Sequence, residues 1–247
     1  MMKQYLNIKE QNSDSILFFR VGDFYEMFFD DAKTASEELD LTLTGKDCGQ
    51  KERAPMCGVP YHSCEAYIAR LIEKGHKVAI CEQVEDPATA KGLVKRDIIR
   101  VITPGTVIED SMLEESRNNY LAAVAIVSGN VGLCFTDAST GDCHVTLIPP
   151  DGFEAAVKDE LMRFSPSEVL VSEDLRSNSQ ELWDFITKKL DAAVTERPAA
   201  SFDTRRTERI YSEHFGVSEL ENLGIERGGA MAAAFGAVIE YLYDTGK

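Results

Sequence analysis

Apolar positions in the first hundred residues follow strand and helix periods in turn. Ile16-Leu17-Phe18-Phe19-Arg20-Val21 is a short, continuous apolar and aromatic run, which predicts a buried strand. Gln4 to Gln11 ahead of it predicts a short helix. Gly22-Asp23 breaks the strand and Phe24 to Phe29 follows. Asp30-Asp31 then opens a helix through Leu39, with acids at the positive end of its dipole. Leu41 to Thr44 predicts a second strand. Tyr61-His62-Ser63 leads into a helix whose apolar positions Ala66, Ile68, Ala69, Leu71 and Ile72 fit the helical period, with Gly75 just past its end. Lys77 to Val84 and Asp97 to Ile102 predict further strands. Thr103-Pro104-Gly105-Thr106 punctuates the chain, and a polar, acidic stretch from Glu109 to Asn119 reads as a linker.

The pattern beyond the linker changes character. Tyr120 to Val127, Val131 to Asp137 and Asp142 to Ile148 are apolar runs joined by Ser128-Gly129-Asn130 and Ala138-Ser139-Thr140-Gly141, which predicts an antiparallel meander. Helix and strand patterns then alternate over Gly152 to Phe164, Glu168 to Val171 and Gln180 to Leu190, and an Ala-rich helix over Gly229 to Tyr243 closes the chain. The expectation is therefore α/β, in two domains at residues 1–105 and 118–247 with a linker at 106–117.

Composition fits a globular chain of 247 residues, with 44% hydrophobic and 28% charged residues. No apolar run approaches the roughly 18 residues that span a bilayer. None of Cys48, Cys57, Cys64, Cys81, Cys134 and Cys143 forms a C-x-x-C pair, so reduced thiols are expected over a disulfide framework. The net charge of −16 argues against strong nucleic-acid binding, since phosphate contacts need Lys and Arg. The acidity is uneven, however. Residues 1–103 carry 14 basic and 17 acidic side chains, a net of −3, and the remainder carries −13. The first half is thus compatible with weak binding to a bent duplex.

The candidate chemistry lies in Gly22-Asp23-Phe24-Tyr25-Glu26-Met27-Phe28. A Gly after a strand lets the backbone turn, and Phe24 and Glu26, two apart in an extended segment, point to one side. Apolar wedges of this kind enter base steps from the minor groove and kink the duplex. A mispaired base is already poorly stacked, so the wedge discriminates by deformability. A carboxylate beside it hydrogen-bonds a displaced base but meets only phosphate repulsion on normal duplex. On these residues alone, a Phe in an aromatic run is more often core.

A longer resemblance raises the first reading. Gly22 to Phe28, Ala54 to Ser63, Ala79 to Gly92 and Arg100 to Thr106 resemble successive landmarks of the bacterial MutS family, in that family's order and spacing. Asn119 to Ala123 and Asp137 to Gly141 more loosely resemble its connector domain. The resemblance implies a mixed-sheet mismatch-recognition domain followed by an RNase H-like connector. It further implies an F-x-E mechanism, in which Phe24 stacks on the mispaired base and Glu26 bonds to it. Val21, Lys46, the Pro55-Met56 loop and Arg96 follow as further DNA contacts, with Arg96 at a phosphate, while Lys46, Lys51 and Arg53 read equally well as a solvated loop. The implied partners are mismatched double-stranded DNA, a MutL-type matchmaker protein at the connector and, in the full-length protein, a second MutS subunit. The implied location is the bacterial cytoplasm, at the nucleoid. Family members continue into lever, clamp and ATPase domains. No Walker motif occurs here, so an N-terminal fragment without ATPase activity is expected, the family's ATP and Mg belonging elsewhere.

Other constellations point to structure. Cys57, His62 and Cys64 lack the spacing of a zinc knuckle, and Tyr61-His62-Ser63 reads as helix capping. Gly224 to Gly229 is not a phosphate loop. Asp137 and Asp142 read as surface acids of a turn, and Ser139 with His144 forms no triad. Two alternatives stay open: an RNase H-like nuclease, and a protein-interaction module with Phe24 buried.

Overall fold

A computed structural model describes residues 1–49, 52–85, 92–114, 116–215, 224–226 and 228–246. Lys51, Asp86 to Lys91 within the third landmark and Arg227 lie outside the described residues. Contacts divide the chain into two compact units, residues 1–103 with 245–247, and residues 104–244.

The first unit is built on a six-stranded mixed sheet in the order β3-β4-β2-β1-β5-β6. Its strands are β1 (Ser15–Val21), β2 (Phe24–Phe28), β3 (Thr44–Lys46), β4 (Ala54–Pro60), β5 (Lys77–Gln83) and β6 (Arg96–Ile102). Helices α2 (Phe29–Leu39) and α3 (Cys64–Glu73) pack on β4 and β5. They cover the face that carries Ile16, Phe18, Tyr25, Met27, Cys57 and Val59, all buried. Helix α1 (Met2–Gln11) covers part of the opposite face, with Tyr5 buried and Met2 and Ile8 packed beside it. The Tyr5 ring meets Phe19 and Phe28 edge-on at 5.5 and 4.9 Å. Its hydroxyl donates to Asp31 at 3.0 Å, and the same carboxylate accepts the Leu17 amide and pairs with Lys9. A buried acid thereby joins α1, β1 and α2.

Two local expectations change. The strand expected at Leu41 to Thr44 begins only at Thr44, and Leu43 is exposed. The Pro55-Met56 segment, expected as a loop, is strand β4, paired with β2 and β3. Pro55 and Pro60 hide it from a strand pattern, since proline removes a ladder donor. Ser63 makes no capping bond to α3 and hydrogen-bonds Pro60 O instead.

The second unit has a five-stranded sheet in the order β11-β10-β7-β8-β9. The meander of β7 (Tyr120–Val127), β8 (Asn130–Asp137) and β9 (Cys143–Ile148) is antiparallel, and β10 (Glu168–Ser172) and β11 (Ala193–Arg197) run parallel to β7. That order, with β8 alone reversed, is the RNase H-like arrangement. Helices α4 (Phe153–Phe164), α5 (Leu175–Asn178) and α6 (Gln180–Lys188) close one apolar face around Val157, Leu161, Leu175, Leu182 and Ile186. The other face is closed by α8 (Ala230–Thr245), with Tyr211 of α7 (Thr204–Phe215) in the same core. Small residues make this closeness possible. A Cβ on Gly132 would sit 2.0 Å from the Ala230 carbonyl oxygen. The pattern missed β11 and α7, which are short or largely polar.

The Thr103-Pro104-Gly105-Thr106 segment was expected to lead into a linker. Thr106 and Val107 are instead buried, and Gly105 N–H donates to buried Glu168 at 3.0 Å. Asp137 is buried as well, contrary to the surface reading. Its carboxylate accepts the Asn119 amide, the Ser139 amide and the Ser139 hydroxyl, which fix the turn before β9. No described helix is long and apolar enough to cross a membrane.

Candidate nucleic-acid interface

The β1–β2 connection is a two-residue hairpin, with Val21 opposite Phe24. Gly22 takes φ +58° while Asp23 stays in the ordinary region, as a turn with glycine at its first central position requires. The turn delivers Phe24 as the first residue of β2. Phe24 is 48% exposed, whereas Tyr25, Met27 and Phe28 of the same strand are at most 6% exposed. Alternation alone does not explain this, because Phe28 shares Phe24's face and is sealed under Tyr5. The difference is position along the strand. Phe28 belongs to the buried cluster under Tyr5 of α1, and Phe24 lies outside that cluster.

The hairpin is held rigidly from behind. On the helix-covered side, Arg20 pairs with Glu82 at 3.1 Å, donates to Gly22 O and lies 3.5 Å over the Tyr61 ring. The Tyr25 hydroxyl donates to the same Glu82, and burial together with that carboxylate pushes its pKa up. The Tyr61 amide donates to Asp23 O. A side chain mounted on such a clamp loses little freedom on meeting a partner.

Glu26 is two residues on, opposite Gly58 of β4 and on the same face as Phe24. It is ion-paired with Lys46 of β3. Lys46 also lies 5.5 Å from the Phe28 ring centre. Sequence reading placed both side chains near the site but missed their pairing. The signal is the register, in which β4 separates β2 from β3, and it appears only once β4 is recognised as a strand. Met56 lies opposite both Phe28 and Thr44, and Pro55 opposite Gly45. Val21, Phe24, Glu26, Lys46 and Met56 therefore occupy one face of four adjacent strands, and Pro55 points the other way.

Arg96 departs from its expected role. It is 8% exposed, donates to Arg20 O at 2.7 Å and to Gln4 and Val94, and lies 4.9 Å from the Phe19 ring. Burial lowers its pKa. Nearly buried, it braces the end of β1 through the Arg20 carbonyl. Arg53 is exposed beside the β3–β4 connection.

Among the described residues, the strands of the second unit present no comparable projecting aromatic: Phe135 is buried and stacked on Phe164 at 4.0 Å. Among the described residues, no group of three or more His, Cys, Asp or Glu side chains is placed to hold a metal ion.

Comparison with known proteins follows the same division. Residues 1–111 match the family described as MutS domain I, and residues 119–247 match MutS domain II. The DNA mismatch repair protein MutS of Ruminiclostridium cellulolyticum is 49% identical over all 247 residues, which span 28% of that relative. That of Lachnoclostridium phytofermentans is 45% identical over the whole chain and 26% of its own length. That of Clostridium tetani is 54% identical over 178 residues, 72% of this chain and 20% of the relative. The chain thus spans between a fifth and little more than a quarter of these relatives. With both of its units matched by family domains in the family's order, the chain belongs to the MutS family of DNA mismatch repair proteins.

Proposed function

We propose that residues 1–103 recognise mispaired and bulged double-stranded DNA by inserting Phe24 at a step where pairing has already loosened the stack. The observation that carries this reading is the exposure of Phe24 at the end of a strand whose other large apolar side chains are sealed. Burying a Phe contributes about 1.5–3 kcal/mol, so an exposed ring on a rigid hairpin forgoes stability that a function can use. Unstacking costs a few kcal/mol at a normal step and less at a mispair, so one wedge discriminates without reading sequence.

Glu26 and Lys46 set the electrostatics of the approach. While paired, they present little net charge to a phosphate backbone. At a displaced base, Glu26 exchanges Lys46 for a base edge, and Lys46 is released toward phosphate. Val21 and Met56 flank the wedge as apolar contacts. Residues 104–244 act as a connector that docks a MutL-type partner. Nucleotide chemistry and subunit pairing belong to the remaining length of the full proteins.

Binding titrations test this with matched, G·T and single-base-bulge duplexes, using residues 1–247 within a full-length MutS protein. Tighter binding to the bulge than to the matched duplex is expected, and Phe24→Ala removes the difference. A preference that survives the substitution contradicts the proposal.

A further inference from the structure

Two thiols of the second unit stand apart from the site above. Cys134 of β8 is fully buried, and Cys143 is the exposed first residue of edge strand β9. Their Sγ atoms are 3.8 Å apart, and the Thr136 hydroxyl donates to Cys143 Sγ at 3.3 Å. A cavity of about 740 Å³ opens beside them, lined by Thr136, Cys143, Val145, Phe235 and Ile239. The arrangement has the parts of a reactive thiol with a resolving partner: a thiol on an exposed residue that accepts from the Thr136 hydroxyl, and a second sulfur in contact with it.

We propose that Cys134 and Cys143 form a reversible redox pair that hydroperoxides close to a disulfide. The Cys143 thiolate attacks the peroxide. An S–O bond forms, the O–O bond breaks, and the departing alkoxide or hydroxide takes up a proton. Cys134 then attacks the sulfenic sulfur, an S–S bond forms, and water leaves with the Cys134 proton. Two thiols are oxidised and one peroxide is reduced. The hydrogen bond from Cys134, with smaller contributions from Thr136 and His144, lowers the pKa of Cys143 and so favours the first step. Burial pushes Cys57 up to about 11 and Cys81 up to about 12, which makes them poor competitors.

The two residues are diagonal neighbours, since Thr136 faces Cys143 and Cys134 faces Val145. Diagonal Cα atoms lie about 7–8 Å apart, and disulfides span about 4.4–6.8 Å. Closure therefore draws the start of β9 inward by about 1 Å. Among the described residues β9 pairs with β8 alone, so it has room to yield, and a bond formed against that displacement is readily reduced.

The reduced chain is treated with hydrogen peroxide, alkylated, digested and mapped by mass. The expected result is loss of two of the six free thiols, a linked Cys134–Cys143 peptide, and recovery of both thiols with dithiothreitol. Cys134→Ser is expected to leave a sulfenic acid on Cys143 that dimedone traps. Cys143→Ser, at an exposed position that leaves the core intact, is expected to keep Cys134 reduced. Alkylation of both cysteines after peroxide overturns the proposal, as does unchanged Cys134 oxidation in Cys143→Ser.

Discussion

The two sheets treat the residues after their first hairpin turn in opposite ways. In residues 1–103 a glycine turn hands the chain to Phe24, 48% exposed, and to Glu26, tied to a lysine at the surface. In residues 104–244 the Gly129 turn leads into β8, where Phe135 is 1% exposed and Asp137 gives its carboxylate to three donors. The second sheet is closed on both faces by helices. The first is closed on one face and only partly on the other, where the cluster under α1 includes Phe28 and leaves out Phe24. The same classes of side chain thus serve cohesion in one region and contact with a partner in the other. What separates them is cover: residue type and alternation do not.

The comparison breaks most visibly in stability. Phe135→Ala is expected to cost about 3–5 kcal/mol by cavity formation. Phe24→Ala is expected to stay within about 0.5 kcal/mol, as surface changes do. Chemical denaturation of the two variants checks this, and equal losses would place Phe24 in a core. In binding, Phe24→Ala should remove about 1–3 kcal/mol of mispair preference, the usual worth of an aromatic stacked on a base. Titration against matched and bulged duplexes reads that loss. Asp137→Ala should destabilise by about 1–3 kcal/mol, because the buried carboxylate it removes accepts three hydrogen bonds that hold the turn. It should leave duplex binding unchanged, and a change in mispair preference would contradict the structural role. The smallest effect is expected of Glu26→Ala. Losing a carboxylate near phosphate and freeing Lys46 is worth about 1 kcal/mol. Matched duplex should bind several-fold tighter while preference shrinks, and weaker matched binding would reverse the assigned sign.

Much of this was legible in the sequence, and the misses have physical causes. The apolar run before Gly22-Asp23 located β1, and the Ser-Gly-Asn and Ala-Ser-Thr-Gly turns located the meander, because local period and turn chemistry decide those elements. β4 was missed because its prolines mimic a loop. Phe24 and Glu26 were recognised as sharing a side, since alternation along a strand sets that. Whether the side was covered depended on where α1 packs in space. Arg96 shows the same limit from the other direction: a lone arginine at a strand start reads as a surface cation, and only the fold shows Arg20, Gln4 and Phe19 enclosing it. Asp137 was read as a turn acid, and the Asn119 amide that binds it comes from 18 residues away.

The central claim, that the Phe24 ring enters the duplex at the mispair, is tested most directly by a fluorescent aminopurine base placed at a bulge. In a full-length MutS protein carrying this chain, binding is expected to change the probe's emission as the ring stacks on it. Phe24→Ala should bind the same bulge at saturating concentration without that change. An identical emission response in both proteins would show that Phe24 does not reach the base, and would contradict the account.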